Sequence, residues 1–468
     1  MALTRRQLLA GGVVGGAVAS GGLYALVDQL SRRPRRPAAG PLPPEQHVLH
    51  GQHVVTDNGV EVLVPPLHHE VVTARVRVEG PVKELKGAQA ELEYLLISIE
   101  RQFQPTPAGL GVTVAWGLPY FRRLVPHLAE REIPVDRRAS TSRNRPVKVL
   151  LDARRFPSDP EDTVLEANDV AILLRSDSLE HIALAHKALF TDSDLFEVRS
   201  IRRGFAGGGF AGGQSLPKRL ATAAGVPGAD LIPDQAELFL GFTSTQKAGL
   251  GPPKIANVEE LGFSDGGYFA GGTHLALSHI AEDLEAWYVN FAHGERVATT
   301  FRPGLRVSER TLTVPQGPDD VIGVRGVERD FRRDGQIGHS SSLQTVSRLR
   351  TTAVGRSGTI YGPGTAIPQR ADFNTLDNPF AWSADPERDG MGDGPAAGVH
   401  FVVFNPSSDD FDRMRLAMDG VLPDGARLPF APRDRGQGFN SILRTTHRQN
   451  FLVPPRDHRS FPLVELLV

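Results

Sequence analysis

The strongest constraint on the fold is a spaced series of short apolar strands with helices between them. Asp169-Val-Ala-Ile-Leu-Leu-Arg175 is an almost unbroken apolar run of strand length, as expected of a strand buried on both faces. Upstream, Glu70-Val-Val-Thr-Ala-Arg-Val-Arg-Val78 alternates like a strand. Leu92, Leu95, Leu96, Ile99 and Phe103 recur at helical spacing within Leu85–Phe103, and Gly111-Val-Thr-Val-Ala-Trp116 returns to strand character. Downstream, the pattern predicts a helix over Leu179–Leu189 and a strand over Phe196–Ile201. Strand, helix and strand therefore occur twice in succession, which is the ferredoxin-like pattern.

The second half repeats the theme. Leu275 and Leu277 alternate within Thr273–Ile280, which reads as a strand followed by a helix over Glu282–Phe291; one helix throughout is the open alternative. Gly398-Val-His-Phe-Val-Val-Phe404 is a buried-type strand, and Asp409–Met418 a helix stopped by Gly420 as a C′ glycine. The expected class is α+β, with two packed sheets and a ligand site between or beside them. The halves are placed at 47–250 and 251–468. The glycine tracts Phe205–Gly213 and Phe269–Gly272 carry neither a following Gly-Lys-Ser/Thr nor a Gly-x-Gly-x-x-Gly helix start, so they read as loops rather than phosphate cradles.

Composition removes whole classes of function. With 52 basic and 54 acidic residues, the chain has no net field to draw it to nucleic acid or acidic membranes. It has no cysteine, which excludes disulfides, thiolate catalysis and cysteine-ligated clusters. Any metal must be held by His, by carboxylate or within a macrocycle. Thr4-Arg5-Arg6-Gln7-Leu8-Leu9 opens a Gly-rich, weakly apolar run ending at Ser31-Arg32-Arg33, a twin-arginine export signal for the twin-arginine translocase. Residues 1–33 are read as this signal, either cleaved or kept as a membrane anchor, and 34–46 as an extended, solvated Pro-rich linker. The expected location is periplasmic, extracellular or at the outer face of the cytoplasmic membrane.

Chemistry is most concentrated in Leu261–Tyr288. Asp265 lies in Gly262-Phe-Ser-Asp-Gly266, where flanking glycines allow close approach to the carboxylate, although an Asp-Gly turn is the commoner meaning of that dipeptide. Taken with Thr106–Gly117, Arg154-Arg-Phe-Pro157, Gly271-Gly-Thr-His-Leu275 and Asp283-Leu-Glu-Ala-Trp287, in this order, the segment resembles the dye-decolourising (DyP-type) haem peroxidases. The resemblance runs from about residue 70 to the C-terminus. It implies a tandem ferredoxin-like fold, a dimeric α+β barrel within one chain, with a haem b pocket in the C-terminal half.

The same resemblance assigns roles. Asp265 falls on the family's distal acid/base, which moves a proton between the oxygens of hydrogen peroxide; Gly267-Tyr-Phe269 stands where the family has Asn-Pro. His339, in Gly335-Gln-Ile-Gly-His-Ser340, is the proximal iron ligand. Ala366–Asn374 resembles the segment bearing the distal Arg, giving Arg370, with Gln369 one offset away and Arg356 the runner-up by spacing. Arg356 and Phe404 are expected beside the cofactor. The carboxylate that supports the proximal His is replaced by Asn405 or Ser407, with Asp409 and Asp410 just beyond. The implied function is an exported peroxidase oxidising a small organic donor. The alternatives are a haem- or iron-handling protein with little turnover, and a cofactor-free binding module.

Two further groups carry bland readings. His47, His50 and His53, followed by His68 and His69, have metal-ligand residue types but are expected in a solvated segment. Arg444, His447 and Arg448 are expected on a solvated basic face, with haem propionates as the sharper alternative.

Overall fold

The computed structural model describes residues 42–57, 60–206, 215–234, 236–242, 254–255, 266–305, 322–355, 358–385, 387 and 391–468. The first half contributes β1 (His68–Val76), α1 (Val82–Gln102), β2 (Gly111–Gly117), β3 (Val170–Ser176), α2 (Leu179–His186) and β4 (Phe196–Phe205). Its strands lie in the order β4-β1-β3-β2, each antiparallel to its neighbour. The second half contributes β5 (Thr273–Glu282), α3 (Leu284–Asn290), α4 (His339–Ser347), β6 (Phe373–Thr375), α5 (Pro379–Trp382), β7 (Gly398–Asn405), α6 (Ser408–Met418) and β8 (Leu443–Val453). Its strands run β8-β5-β7-β6. Numbered within its own half, each quartet has the order 4-1-3-2, so each is a ferredoxin-like unit.

The quartets close on each other into a barrel. At one seam β8 meets β2, with Phe451 opposite Gly117 and Leu452 opposite Trp116. At the other, β6 meets β4 at Asn374 opposite Phe205. Closure leaves none of the eight strands as a free edge. Glycine permits both approaches: a Cβ on Gly204 would stand 2.1 Å from the carbonyl oxygen of Asn374 on β6, and one on Gly117 would stand 2.7 Å from Nε2 of Gln449 on β8.

Strand alternation sorts the side chains. Val71, Ala115, Leu173, Leu277, Val402 and Phe451 point inward and belong to one buried apolar cluster. Val114, Ile172 and Leu174 point outward. There they meet α1, whose buried stripe of Leu85, Ala88, Leu92, Leu96 and Ile99 has the spacing of one helix face. Each such leucine contributes about 1.5–3 kcal/mol by leaving water. On the second half, Phe411 of α6 packs with Ala276 of β5 and Phe401 of β7 on the outer face.

Several expectations are settled here. Thr273–Glu282 is a strand, not a continuous helix; α3 begins afterwards, where Asp283 accepts a 2.9 Å hydrogen bond from the Ala286 amide. Gly420 follows α6 with φ of +73°, as a C′ glycine does. Gly271, with φ of +89°, turns the chain into β5, and residues 207–213 of the other glycine tract lie outside the described residues. The signal segment and the 250/251 boundary also lie outside them. Glu45 and Gln46, expected at the end of a solvated linker, are buried. Among the described residues no helix is long and apolar enough to cross a membrane.

Candidate functional site

His339 opens α4 directly after Gly338, where a Cβ would meet the carbonyl oxygen of Phe301 at 2.2 Å. The helix packs against α6. The ring is half-buried and tilted 4.6 Å from Phe439. Its Nδ1 is shut from solvent with no hydrogen-bond partner. Burial pushes its pKa down to about 3, helped by the charges of Arg370 and Arg415. The imidazole is therefore neutral at physiological pH, the form that binds a metal. The following Ser341 and Ser342 are buried; their hydroxyls donate to the Gly338 and His339 carbonyls at 3.1 and 3.0 Å.

Arg370 lies on a two-residue strand opposite Val403 of β7. Its side chain is 44% exposed and 3.7 Å from Asp372. Arg415 of α6 reaches Asp159, Ser158 and Asn440 at 3.2 Å each. Arg348, just past α4, is lowered to about 10 by burial and then by Arg370. Three arginines thus surround the His339 side of the sheet. Phe404 points the other way, into the barrel, where its ring stacks on His47 at 4.6 Å. Asp265 and Arg356 lie outside the described residues. Of the five predicted site residues, the structure brings His339 and Arg370 within electrostatic range and sets Phe404 on the opposite face of β7.

The candidates for supporting the His339 ring divide cleanly. Ser407 donates to Asp136 at 2.5 Å and caps α6 through the Asp410 amide. Asp409 accepts from Arg138 and Arg143 at 2.9 and 2.6 Å, and Asp410 pairs with Arg138. Asn405 alone is left with both amide atoms buried and without partners.

Both solvated readings are corrected. His47, His68 and His69 are buried, His47 inside the barrel with its carbonyl accepting from Arg175; the side chain of His53 lies outside the description. His447 and Arg448 are each 1% exposed. His447 faces the barrel interior, whereas Arg448 faces outward and pairs with buried Asp159; Arg444 pairs with Asp162. No group of three or more His, Asp or Glu among the described residues is placed to hold a metal ion. Sequence reasoning missed these buried polar groups because their burial depends on the barrel's closure.

A family model described as a family of unknown function, DUF7405, matches residues 66–455, a span that takes in all eight barrel strands. The chain belongs to this family. No curated protein matches it. Among solved structures, this DUF7405 member is similar to a putative DyP-type peroxidase from Shewanella oneidensis, with 11% identity and a TM-score of 0.49, covering 86% of this chain and 96% of the other. It is also similar to the encapsulated DyP-type peroxidase of Mycobacterium smegmatis, with 12% identity, a TM-score of 0.47 and coverage of 85% and 95%. For a dye-decolorizing peroxidase from Bacteroides thetaiotaomicron the figures are 12%, 0.44, 88% and 98%. The ferredoxin-like assignment rests on the strand order given above, not on these likenesses.

Proposed function

We propose that this chain is an exported haem-b protein that reduces hydrogen peroxide and oxidises a small organic donor, with His339 as the iron ligand. The observation that carries the reading is the state of His339: an imidazole held neutral, with an unpartnered Nδ1, beside Arg370 and Arg415. The donor set fits the group, since a neutral imidazole suits the iron and the Arg348 guanidinium suits a carboxylate arm. Bound there, haem would supply the electron transfer to peroxide.

The remaining steps belong to the chain itself. Asp265, placed by sequence resemblance, takes a proton from hydrogen peroxide and returns it to the leaving oxygen. Arg370 supplies a cation for the charge that develops on that oxygen. Asp409 and Asp410 are held by arginines and Ser407 bonds Asp136, so none of the three accepts from His339 Nδ1–H. The supporting carboxylate is thus substituted at Asn405, and without it His339 is a less basic ligand than one paired with Asp. That substitution and the exposure of Arg370 favour a second reading, a haem-handling protein with little turnover.

Absorption spectroscopy of protein purified from haem-replete cells, with a peroxide titration, tests the proposal. The expected result is a Soret band that His339→Ala abolishes or shifts. Asp265→Asn should keep the band and lose peroxide-dependent dye oxidation. An unchanged band in His339→Ala would move the ligand elsewhere. A coloured protein inert to peroxide selects the haem-handling reading, and a colourless one that refuses hemin a cofactor-free binding module.

A further inference from the structure

One end of the barrel interior is polar. His279 of β5 stands opposite His400 of β7 on one side and His447 of β8 on the other. The three share the inward parity of Leu277, Val402 and Phe451 and continue the interior face, away from His339. None is more than 1% exposed. α5 lays Trp382 over the row, its ring 5.1, 5.5 and 4.7 Å from those of His279, His400 and His447. Arg202 of β4 adds its guanidinium 4.6 Å from the centre of the indole.

The hydrogen bonds of this cluster do not close. Arg202 spends Nη2 on Glu166, at 2.6 and 2.5 Å, and Nε on Ser200 at 3.0 Å. Its Nη1, the indole Nε1 of Trp382 and both ring nitrogens of His400 are buried with no partner. His279 and His447 both direct Nδ1 at the hydroxyl of Thr446, at 2.6 and 2.9 Å. Leaving a buried polar atom unpaired costs about 1–3 kcal/mol. Several in one spot indicate something that satisfies them.

The chemistry of the atoms says what. Guanidinium and indole N–H groups only donate, and a neutral imidazole has one N–H to give. Unpaired donors from three side chains in one buried cluster, one of them a guanidinium, match an acceptor with negative charge. Among the described residues the rings are not placed as a ligand set for a metal ion. We propose that the barrel end beneath Trp382 is a binding site for a small oxyanion of about the size of formate, held by Arg202, Trp382 and His400. The site is independent of the haem reading, since His339 lies on the outer side of the sheet.

Titration of the full purified chain with formate, after dialysis into an anion-poor buffer, tests this by thermal unfolding and by the line width of carbon-13 formate. Formate should raise the melting temperature in a saturable way, while chloride at equal ionic strength should not. Trp382→Phe and His400→Phe keep an aromatic ring and remove a donor; each should weaken formate binding about tenfold. A wild-type crystal grown with formate should show it in contact with Arg202 Nη1, a readout that needs no variant to fold. Equal effects of formate and chloride, unchanged affinity in both variants, ordered water alone in the cluster, or stoichiometric uptake of zinc lost in His400→Phe would each overturn the proposal.

Discussion

Asp159 holds two arginines at once. Arg448 pairs with it while both side chains are 1% exposed, and Arg415 approaches at 3.2 Å with 11% exposure. Their charges depress its carboxyl below the usual range against the opposing cost of burial. Replacing Asp159 by Ala leaves two cations without a counter-ion and should cost about 3–5 kcal/mol in urea unfolding. The buried histidines add a pH dependence. Burial pushes His47, His274 and His339 down to about 3, and His279 and His400 well below 6.5. Each binds a proton more readily unfolded than folded below pH 6.5, so its stabilisation is complete above that pH and is lost as pH falls toward its folded value. The loss approaches about 1.4 kcal/mol per pH unit for each histidine. Glu282, raised to about 8, and Asp412, raised to about 6, oppose it in part. The melting temperature should fall steeply below pH 6; a flat profile from pH 7 to 4.5 would contradict the burial of these rings.

At the scale of the element, what is local was readable. The helix α1 and the strands β2 and β3 follow directly from apolar periods of 3.6 and 2. β5 was ambiguous because a short apolar run carries both periods, and pairing with β7 and β8 on its two sides decides it. The sequence does not reveal that the serines after His339 are buried with their hydroxyls bonded back to the first turn of their own helix. The seams yield a prediction. Gly204→Ala puts a methyl group against the Asn374 backbone and should cost at least about 1–3 kcal/mol. Gly87→Ala, within α1 and with nothing within 4 Å, should instead gain about 0.5–1 kcal/mol. Equal effects in chemical denaturation would remove the seam argument.

For the whole molecule, the segment before the first barrel strand acts as a staple. Gln46 donates to the carbonyls of Val114 on β2 and Pro454 just past β8, at 2.8 and 2.9 Å, and its Oε1 accepts from the Val114 amide at 2.8 Å. It spans the β2–β8 seam, which has only two residue pairs of its own. Gln46→Ala should therefore cost about 1–3 kcal/mol and speed amide exchange at Val114 before the rest of β2. The sequence by itself determined the two strand–helix–strand halves and the absence of thiol chemistry, because periodicity and residue type are local properties, and the resemblance of its ordered motifs made His339 a candidate ligand. Only the tertiary structure decided that His279, His400 and His447 share one inner row, that Phe404 faces away from His339 and that Gln46 is buried. Each depends on which strand face closes against which, and that pairing joins residues far apart in the chain.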